Sequence, residues 1–341
     1  MRLLSEFRRD FAIAAAGLVL LLLGLLPESG WVRDFLTSLF AYGLLGMSLN
    51  LLIGYTGLIS FGHGAFFAFG AYAFGLLLQW NAFTAALGGA AAPAALVLTI
   101  VLGALYALMI GAICCRLSEI YFAFLTLAFQ MFLYSVILSW VALTGGDQGL
   151  MGGIPRPPFL GVDLADPNHR YAFCAVLFVL CLLLLRVLAQ SSFGYTLRMI
   201  RDNPKRAAFL GVNVLRVKVI CFVISGSVAG VGGVILALFT SGAYPEWANW
   251  EQSGEAIFMI MLGGVNAFFG PLLGALLLRV LNDLVLIYTT HTELVTGLVI
   301  LLVVLGLRMG VLDFISVQRQ NRREARASAE RKTAESGKES V

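Results

Sequence analysis

Charged residues are scarce in this sequence. Only 12% of its 341 residues are Asp, Glu, Lys or Arg, whereas soluble domains carry about 25%. Hydrophobic residues make up 60% of the chain, and the mean hydropathy is +0.90. No soluble core absorbs this much apolar sequence, so the composition predicts a polytopic membrane protein. Separate apolar runs of about 17–25 residues favour helices over a barrel, whose strands would alternate apolar and polar residues.

Groups that carry chemistry or energy are missing as well. The five cysteines form no C-x-x-C pair, so they indicate small buried hydrophobes rather than disulfides or metal ligands. The sequence contains no Walker A motif and no nucleophile motif. No ladder of Asp, Glu and His crosses the apolar runs. We therefore expect no catalytic residue, no metal and no cofactor. Energy for any transport is expected to arrive through a partner protein.

Few polar side chains interrupt the apolar runs. They are Asn50, Gln130, Arg279, Asn282 and Asp283. Arg279 and Asp283 are four residues apart, so on a helix they share one face and can neutralise each other. A charge at membrane depth favours a functional site, and a structural pair near a helix end is the alternative.

The longest polar and basic stretch lies at residues 191–218, between two apolar runs that are each long enough to cross a bilayer. An excess of Lys and Arg between spans is typical of the cytoplasmic side. The middle of the stretch predicts a short helix with Asp202 or Asn203 as N-cap and Pro204 at its first position. Gly211 is its expected stop. A short helix in this place is suited to contact a soluble partner.

Basic residues also precede the first apolar run and follow the last one. The positive-inside rule then places both termini in the cytoplasm and makes the number of spans even. We expect an all-α membrane bundle of about ten transmembrane helices (8–10) in residues 1–316. Residues 317–341 are expected to form a disordered basic tail, whose position after a span and interleaved glutamates argue against nucleic-acid binding. The expected spans cover about residues 11–26, 35–53, 65–79, 94–115, 120–142, 172–189, 219–239, two spans in 255–288, and 294–312.

Glycine is frequent, with 37 residues, and two Gly-rich stretches interrupt the apolar runs at 54–72 and 263–271. Close packing of two spans explains such stretches, and so does an unwound segment that lines a cavity. Paired interruptions in opposite halves of a chain are typical of a transporter's pathway. The candidate pathway residues are Asn50, Tyr55, Thr56, Gly57, Ser60, Phe61, Gly62, His63, Gln130, Gly264 and Asn266. As an isolated histidine, His63 is more typical of a buried residue bonded to a backbone carbonyl than of a ligand.

The longest loop between expected spans is residues 144–171, on the side opposite to the basic stretch. Its prolines and clustered glycines predict turns rather than a helix. A loop this long can contact a molecule that arrives from outside, or it can be a simple connector. Both interpretations are open. In the span at 219–239, Gly226 and Gly230 have the G-x-x-x-G spacing of a helix-packing face.

Three stretches together resemble a known family. They are LNLLIGYTGLISFGHGAFFAFGAY, the loop start TGGDQGL, and GYTLRMIRDNPKRAAFLGVNVLRVKVICFVISGSVAGVGG. In this order they resemble the permease subunits of branched-chain amino-acid ABC importers, over about residues 35–310. The long outer loop and the order of the motifs favour the LivM type over the LivH type.

The resemblance implies a multi-pass subunit of a bacterial inner membrane that pairs with a second, related permease and contacts membrane lipid. Two cytoplasmic ATPase subunits and a periplasmic binding protein for leucine, isoleucine or valine would complete the importer. ABC importer permeases generally carry Glu-Ala-Ala followed by Gly in this loop, and here a basic residue stands in the place of Glu. We expect Arg201 and Arg206 to pair with ATPase carboxylates. The coupling residues implied are Arg198, Arg201, Asp202, Asn203, Pro204, Lys205, Arg206, Ala207, Ala208 and Gly211.

Other functions are consistent with parts of the sequence. A pathway with few polar groups suits an aliphatic cargo, but urea, short amides or other amino acids are alternative cargoes of the same class of importer. A stand-alone channel or secondary carrier would leave the basic helix without a role. A membrane enzyme would need a polar catalytic cluster, which the sequence does not contain.

Overall fold

The computed structural model describes residues 30–150, 153–159, 162–288, 294–298, 301, 310–314 and 318. This part of the chain is built from α-helices and contains no β-strand; Phe159 and Val162 form an isolated bridge. The all-α prediction is therefore confirmed. The helices are α1 Gly30–Thr56, α2 His63–Gln79, α3 Asn81–Leu87, α4 Ala91–Cys114, α5 Glu119–Ser139, α6 Val141–Thr144, α7 Pro167–Gln190, α8 Ser192–Asp202, α9 Pro204–Phe209, α10 Val214–Thr240, α11 Trp250–Gly263 and α12 Gly270–Tyr288.

Six helical segments of the described residues are long and apolar enough to cross a membrane. They are Gly30–Thr56, Asn81–Cys114, Ile120–Ser139, Pro167–Gln190, Val214–Thr240 and Gly270–Ile287. The apolar helix α2 is shorter. The expected span at 11–26, most of the one at 294–312 and nearly all of the tail at 317–341 lie outside the described residues. A total of about ten spans therefore stays a prediction.

Helix α7 begins earlier than its apolar run suggested, and the long loop ends at Asp166 rather than at residue 171. The side chain of Asp166 accepts a hydrogen bond of 2.9 Å from the backbone N–H of Asn168, and Pro167 occupies the first helical position. An Asp N-cap followed by proline starts a helix independently of hydropathy. Local capping chemistry thus extends the helix five residues N-terminal to the expected span at 172–189.

The chain divides into two compact units, Met1–Ile257 and Phe258–Val341. In the first unit α1 and α10 are the central helices, because 89% and 72% of their apolar windows are buried. The corresponding values for α5 and for the segment that contains α4 are only 22% and 33%. Helix α2 packs against α10, and the outer faces of α4 and α5 carry large exposed hydrophobic side chains. Such faces suit a lipid environment.

Small residues bring α2 and α10 into backbone contact. A Cβ on Gly70 would overlap the backbone of Gly230, and a Cβ on Gly233 would overlap the carbonyl of Phe67. Gly226 faces the Phe66 ring and the Ala107 methyl group. The G-x-x-x-G stretch is therefore a helix-packing face, as predicted.

The first unit has a basic end and a loop end. The basic end is formed by residues 191–213 together with the C-terminus of α1. The loop end is formed by residues 145–150, 153–159 and 162–166 together with the C-termini of α2 and α10. At the loop end the Gln79 amide donates to the Gly153 carbonyl over 2.9 Å, and the Ile154 N–H donates to the Ser241 carbonyl over 2.8 Å.

Candidate functional site

The first Gly-rich stretch contains a break between two helices. Helix α1 ends at Thr56, and Gly57 follows in the left-handed region with φ of +75°. Residues 57–62 are not helical, and α2 begins at His63. Leu58, Ser60 and Gly62 are buried within the protein. Both interpretations of this stretch therefore apply, since an unwound segment is followed by a closely packed helix.

Polar side chains from distant helices hold the start of α2. The N–H of Gly64 is one of the first-turn donors that a helix leaves unsatisfied, and it donates to Ser253 Oγ over 2.8 Å. Ser253 Oγ in turn donates to Gln130 Oε1 over 2.6 Å, and Gln130 Nε2 donates to the Asn249 carbonyl over 2.6 Å. Ser253 and Gln130 are fully buried. Gln130, which lies on α5, thus stabilises the break at the point where α2 begins.

His63 is buried, as expected, but its partners are serine hydroxyls instead of a backbone carbonyl. Its Nε2 lies 3.0 Å from Ser48 Oγ and 3.4 Å from Ser225 Oγ. Both hydroxyls donate their own protons to carbonyl groups, those of Leu45 and Ser48. With both hydroxyl protons engaged in this way, the tautomer protonated on Nε2 fits these contacts, and its Nδ1 is an acceptor. None of the described residues forms a hydrogen bond with this buried Nδ1.

The candidate pathway residues in the first unit are mostly enclosed by the chain itself. Phe61 is 38% exposed, and the neighbouring Ile59 is 45% exposed. Gly57 is half-buried. The buried candidates are Asn50, Tyr55, Thr56, Ser60, Gly62, His63 and Gln130. The accessible side chains of the break are therefore apolar, whereas its polar side chains point into the protein.

The second unit contains its own break, between the end of α11 and α12. Gly264 has a φ of +117°, and residues 264–269 are not helical. The backbone N–H and the side-chain amide of Asn266 donate to Asp313 Oδ2 over 3.1 and 3.2 Å. The candidates Gly264 and Asn266 thus lie beside a carboxylate that the sequence did not single out.

At the basic end the predicted capping chemistry is present. Asn203 Oδ1 accepts a hydrogen bond of 2.9 Å from the Arg206 N–H, and Pro204 is the first residue of α9. Gly211, with φ of +85°, ends the turn that follows. Asn203 is thus the N-cap, and Asp202 is not. Residues 198–202, which the resemblance grouped with this helix, belong to the preceding helix α8.

Helix α9 presents a basic and partly aromatic surface. Lys205, Arg206 and Ala208 are exposed, whereas Ala207 is fully buried. Phe209 is 91% exposed, and Leu210 is 69% exposed. Two adjacent large apolar side chains are thus exposed beside the cations of α9.

The two arginines of α8 contact α1 instead of projecting freely. Arg201 Nη1 donates to the Gly54 carbonyl near the C-terminus of α1. The guanidinium carbon of Arg198 lies 4.9 Å from the ring centroid of Tyr55 and 5.5 Å from that of Tyr195, within the range of cation–π contacts. The expected pairing of Arg201 with a partner's carboxylate would therefore compete with this internal contact.

A third arginine closes α10 at the loop end. Arg156 Nη2 donates to the carbonyls of Leu238 and Phe239 over 3.1 and 3.4 Å, and also to Ser241 Oγ. Burial, and next the positive charge of Arg170, lower the pKa of Arg156. The partial negative charge of the helix C-terminus counteracts that effect. Among the described residues, no group of three His, Cys, Asp or Glu side chains is placed to hold a metal ion.

Comparison with known proteins agrees with this architecture. Residues 32–305 match the family described as the permease component of branched-chain amino acid transport systems. The high-affinity branched-chain amino acid transport system permease protein LivM of Salmonella typhimurium is 27% identical over 308 residues, which cover 84% of this chain and 71% of that protein. LivM of Escherichia coli K12 is 26% identical over the same shares.

The permease protein LivH of Escherichia coli K12 also matches. It is 24% identical over 82% of this chain and 93% of its own length. No solved structure matches this chain. The family match and the apolar helices together make this a multi-pass membrane protein. The chain belongs to the family of permease components of branched-chain amino acid transport systems.

Proposed function

We propose that this chain is one of two permease subunits of an ABC importer for leucine, isoleucine and valine. A second, related permease pairs with it in a bacterial inner membrane. A periplasmic binding protein delivers the amino acid, two cytoplasmic ATPase subunits drive transport, and this subunit itself catalyses no reaction. Both termini of the chain lie in the cytoplasm, and its spans number about ten.

The observation that carries this proposal is the surface of α9. The helix is capped by Asn203, and Phe209 is 91% exposed. Buried aromatic anchors with a surrounding charged rim dominate many protein interfaces. We place Phe209 in an apolar pocket of the ATPase subunit and Lys205 and Arg206 against acidic groups at the pocket's rim, where charge complementarity favours binding.

The first break supplies part of the pathway in this proposal. Its accessible side chains, Ile59 and Phe61, are apolar and suit an aliphatic cargo. The buried polar candidates around His63 and Gln130 shape the break without binding the cargo tightly. The branched-chain cargo itself rests on the names of the LivM and LivH relatives.

Co-purification tests the proposal directly. The tagged subunit is extracted gently from membranes, and recovery of an ATP-binding-cassette protein is measured for the wild type, Phe209→Ala, Arg206→Glu and Arg216→Ala. Phe209→Ala and Arg206→Glu are expected to lose most of the ATPase. Arg216→Ala, which removes an exposed cation outside α9, is the matched control.

Uptake by the reconstituted complex tests the cargo. Leucine, isoleucine and valine are expected to compete with one another for ATP-dependent uptake, and urea is not. Transport by the subunit without any ATPase would contradict the importer and favour a carrier. Competition by urea alone would keep the importer and replace its cargo.

A further inference from the structure

We infer that Arg198 and Arg201 are positioning residues that join the ATPase-docking helix to the first break, and through it to the pathway. This inference rests on the function proposed above. It concerns contacts within this chain, between α8 and the last turn of α1.

The first step is the unsatisfied end of α1. In a continued helix the Leu58 N–H would donate to the Gly54 carbonyl. The chain turns at Gly57, and the Leu58 N–H donates to the Leu52 carbonyl instead, over 3.2 Å. Gly54 is buried and therefore needs another donor, because a buried carbonyl without a hydrogen bond is unfavourable. Arg201 supplies that donor.

The second step is the position of the Arg201 side chain against the turn. Its Cγ lies 3.2 Å from the point that a Cβ on Gly57 would occupy. The aliphatic part of Arg201 thus rests on the residue at which α1 ends and the break begins. A movement of Arg201 must either carry this turn along or break the bond to Gly54.

The third step is a second contact on the same face of α8. Arg198 lies one helical turn before Arg201, and its guanidinium group stacks over Tyr55. It also donates to the Ala189 carbonyl, over 3.3 Å. Two arginines therefore attach α8 to consecutive residues of α1, Gly54 and Tyr55. Because α8 is attached to α1 at two points, a tilt of α8 as well as a shift of α8 would move the end of α1.

The fourth step is the connection to α9. Only Asn203 separates α8 from α9, and its side chain caps α9. A displacement of α9 by a bound ATPase therefore reaches Arg198 and Arg201 through a single residue. Beyond the turn, residues 58–62 lead to the start of α2, which Ser253 holds in place.

The test compares ATP hydrolysis with import in proteoliposomes that contain the complete importer and its binding protein. The variants are Arg201→Ala, Tyr55→Leu and Tyr55→Phe, with Arg216→Ala as the matched loss of an exposed cation. In Arg201→Ala the amount of co-purified ATPase is expected to stay the same. The number of leucine molecules imported per ATP is expected to fall about tenfold, the factor that corresponds to one charge-assisted hydrogen bond.

The tyrosine pair separates this role from a merely structural one. Tyr55→Phe keeps the ring that Arg198 contacts and should lose far less of the import-to-hydrolysis ratio than Tyr55→Leu. A structural defect would lower import and hydrolysis together and leave their ratio unchanged. An unchanged ratio in both Arg201→Ala and Tyr55→Leu would overturn the inference while the importer stands. A wild-type subunit that recovers no ATPase would overturn the proposed function, and this inference with it.

Discussion

Arginine side chains cap the C-termini of both central helices of the first unit, one at each end of the unit. At the basic end Arg201 donates to the Gly54 carbonyl of α1. At the loop end Arg156 donates to the Leu238 and Phe239 carbonyls of α10. Each cation lies where the last carbonyls of a helix lack donors and carry partial negative charge. At both ends, an arginine side chain thus supplies the donor that the last carbonyls of a helix lack.

The segments that carry the two arginines differ. Arg201 belongs to α8, which leads through Asn203 into the exposed helix α9. Arg156 belongs to a loop that is fastened by further bonds, among them Leu150 N–H to the Ala243 carbonyl and Ile154 N–H to the Ser241 carbonyl. Loss of the loop-end cap should therefore affect stability. Loss of the basic-end cap should affect the relation between ATP hydrolysis and import.

The largest expected effect on stability is that of Arg156→Ala. The substitution leaves the Leu238 and Phe239 carbonyls without their donor, and we expect a loss of about 2 kcal/mol in the free energy of unfolding. Reaction of the buried thiols of Cys114, Cys174 and Cys221 with a fluorescent reagent during heating reports the transition. The import-to-hydrolysis ratio should not change.

Arg156→Lys is the control for this prediction, because it keeps the cation but loses the planar group that reaches several acceptors. Its transition should lie between those of the wild type and Arg156→Ala. The prediction would be wrong if Arg156→Ala had a normal transition temperature and a lower import-to-hydrolysis ratio. The arginines at both ends would then affect the relation between ATP hydrolysis and import.

A smaller effect is expected from two matched glycine substitutions, Gly57→Ala and Gly153→Ala. Both residues have positive φ, at +75° and +74°, so each alanine should cost about 1–2 kcal/mol in stability. A Cβ at Gly57 would press on Arg201 Cγ at 3.2 Å, whereas one at Gly153 would meet, among the described residues, only the Ser241 carbonyl at 3.4 Å. Both variants should therefore melt earlier, and only Gly57→Ala should lower the import-to-hydrolysis ratio. An equal import-to-hydrolysis ratio in the two variants would mean that the contact between Arg201 and the turn at Gly57 does not couple ATP hydrolysis to import.

Local features of the fold were predictable from the sequence. The N-cap at Asp202 or Asn203, the first residue Pro204 and the stop at Gly211 depend on side chains within a few positions of the backbone groups that they serve. The packing of Gly226 and Gly230 follows from their spacing on one helix. In each case the information lies inside one helix or one turn, so neighbouring residues suffice to read it.

Contacts between distant segments were not predictable in this way. Ser253 caps α2 from a position 189 residues away, and Arg201 reaches Gly54 across 147 residues. Hydropathy marks Gln130 as an unusual polar residue, but the same signal fits a pathway residue and a residue that holds a helix end. A pattern of single residues cannot name the acceptor that a side chain will find.

One missed residue did leave a signal. Phe209 is a large aromatic in an otherwise basic stretch, two positions before the stop at Gly211. The charge pattern favoured Lys205 and Arg206, which are also exposed. Exposure of an aromatic ring is what distinguishes an anchor from a core residue, and exposure follows only from the packed structure.

The smallest expected effect is that of Asp202→Asn, which tests whether the basic-end cap needs its own counter-ion. Asp202 Oδ1 lies 3.7 Å from Arg201 Nε, and the side chain of Asp202 is 74% exposed. Because exposed ion pairs contribute little, stability should change by no more than about 0.5 kcal/mol, and the import-to-hydrolysis ratio should stay at the wild-type value. A large fall in that ratio would mean that Asp202 orients Arg201 toward Gly54. The basic end would then depend on a pair of charges, unlike the loop end, where carbonyl and hydroxyl oxygens are the acceptors of Arg156.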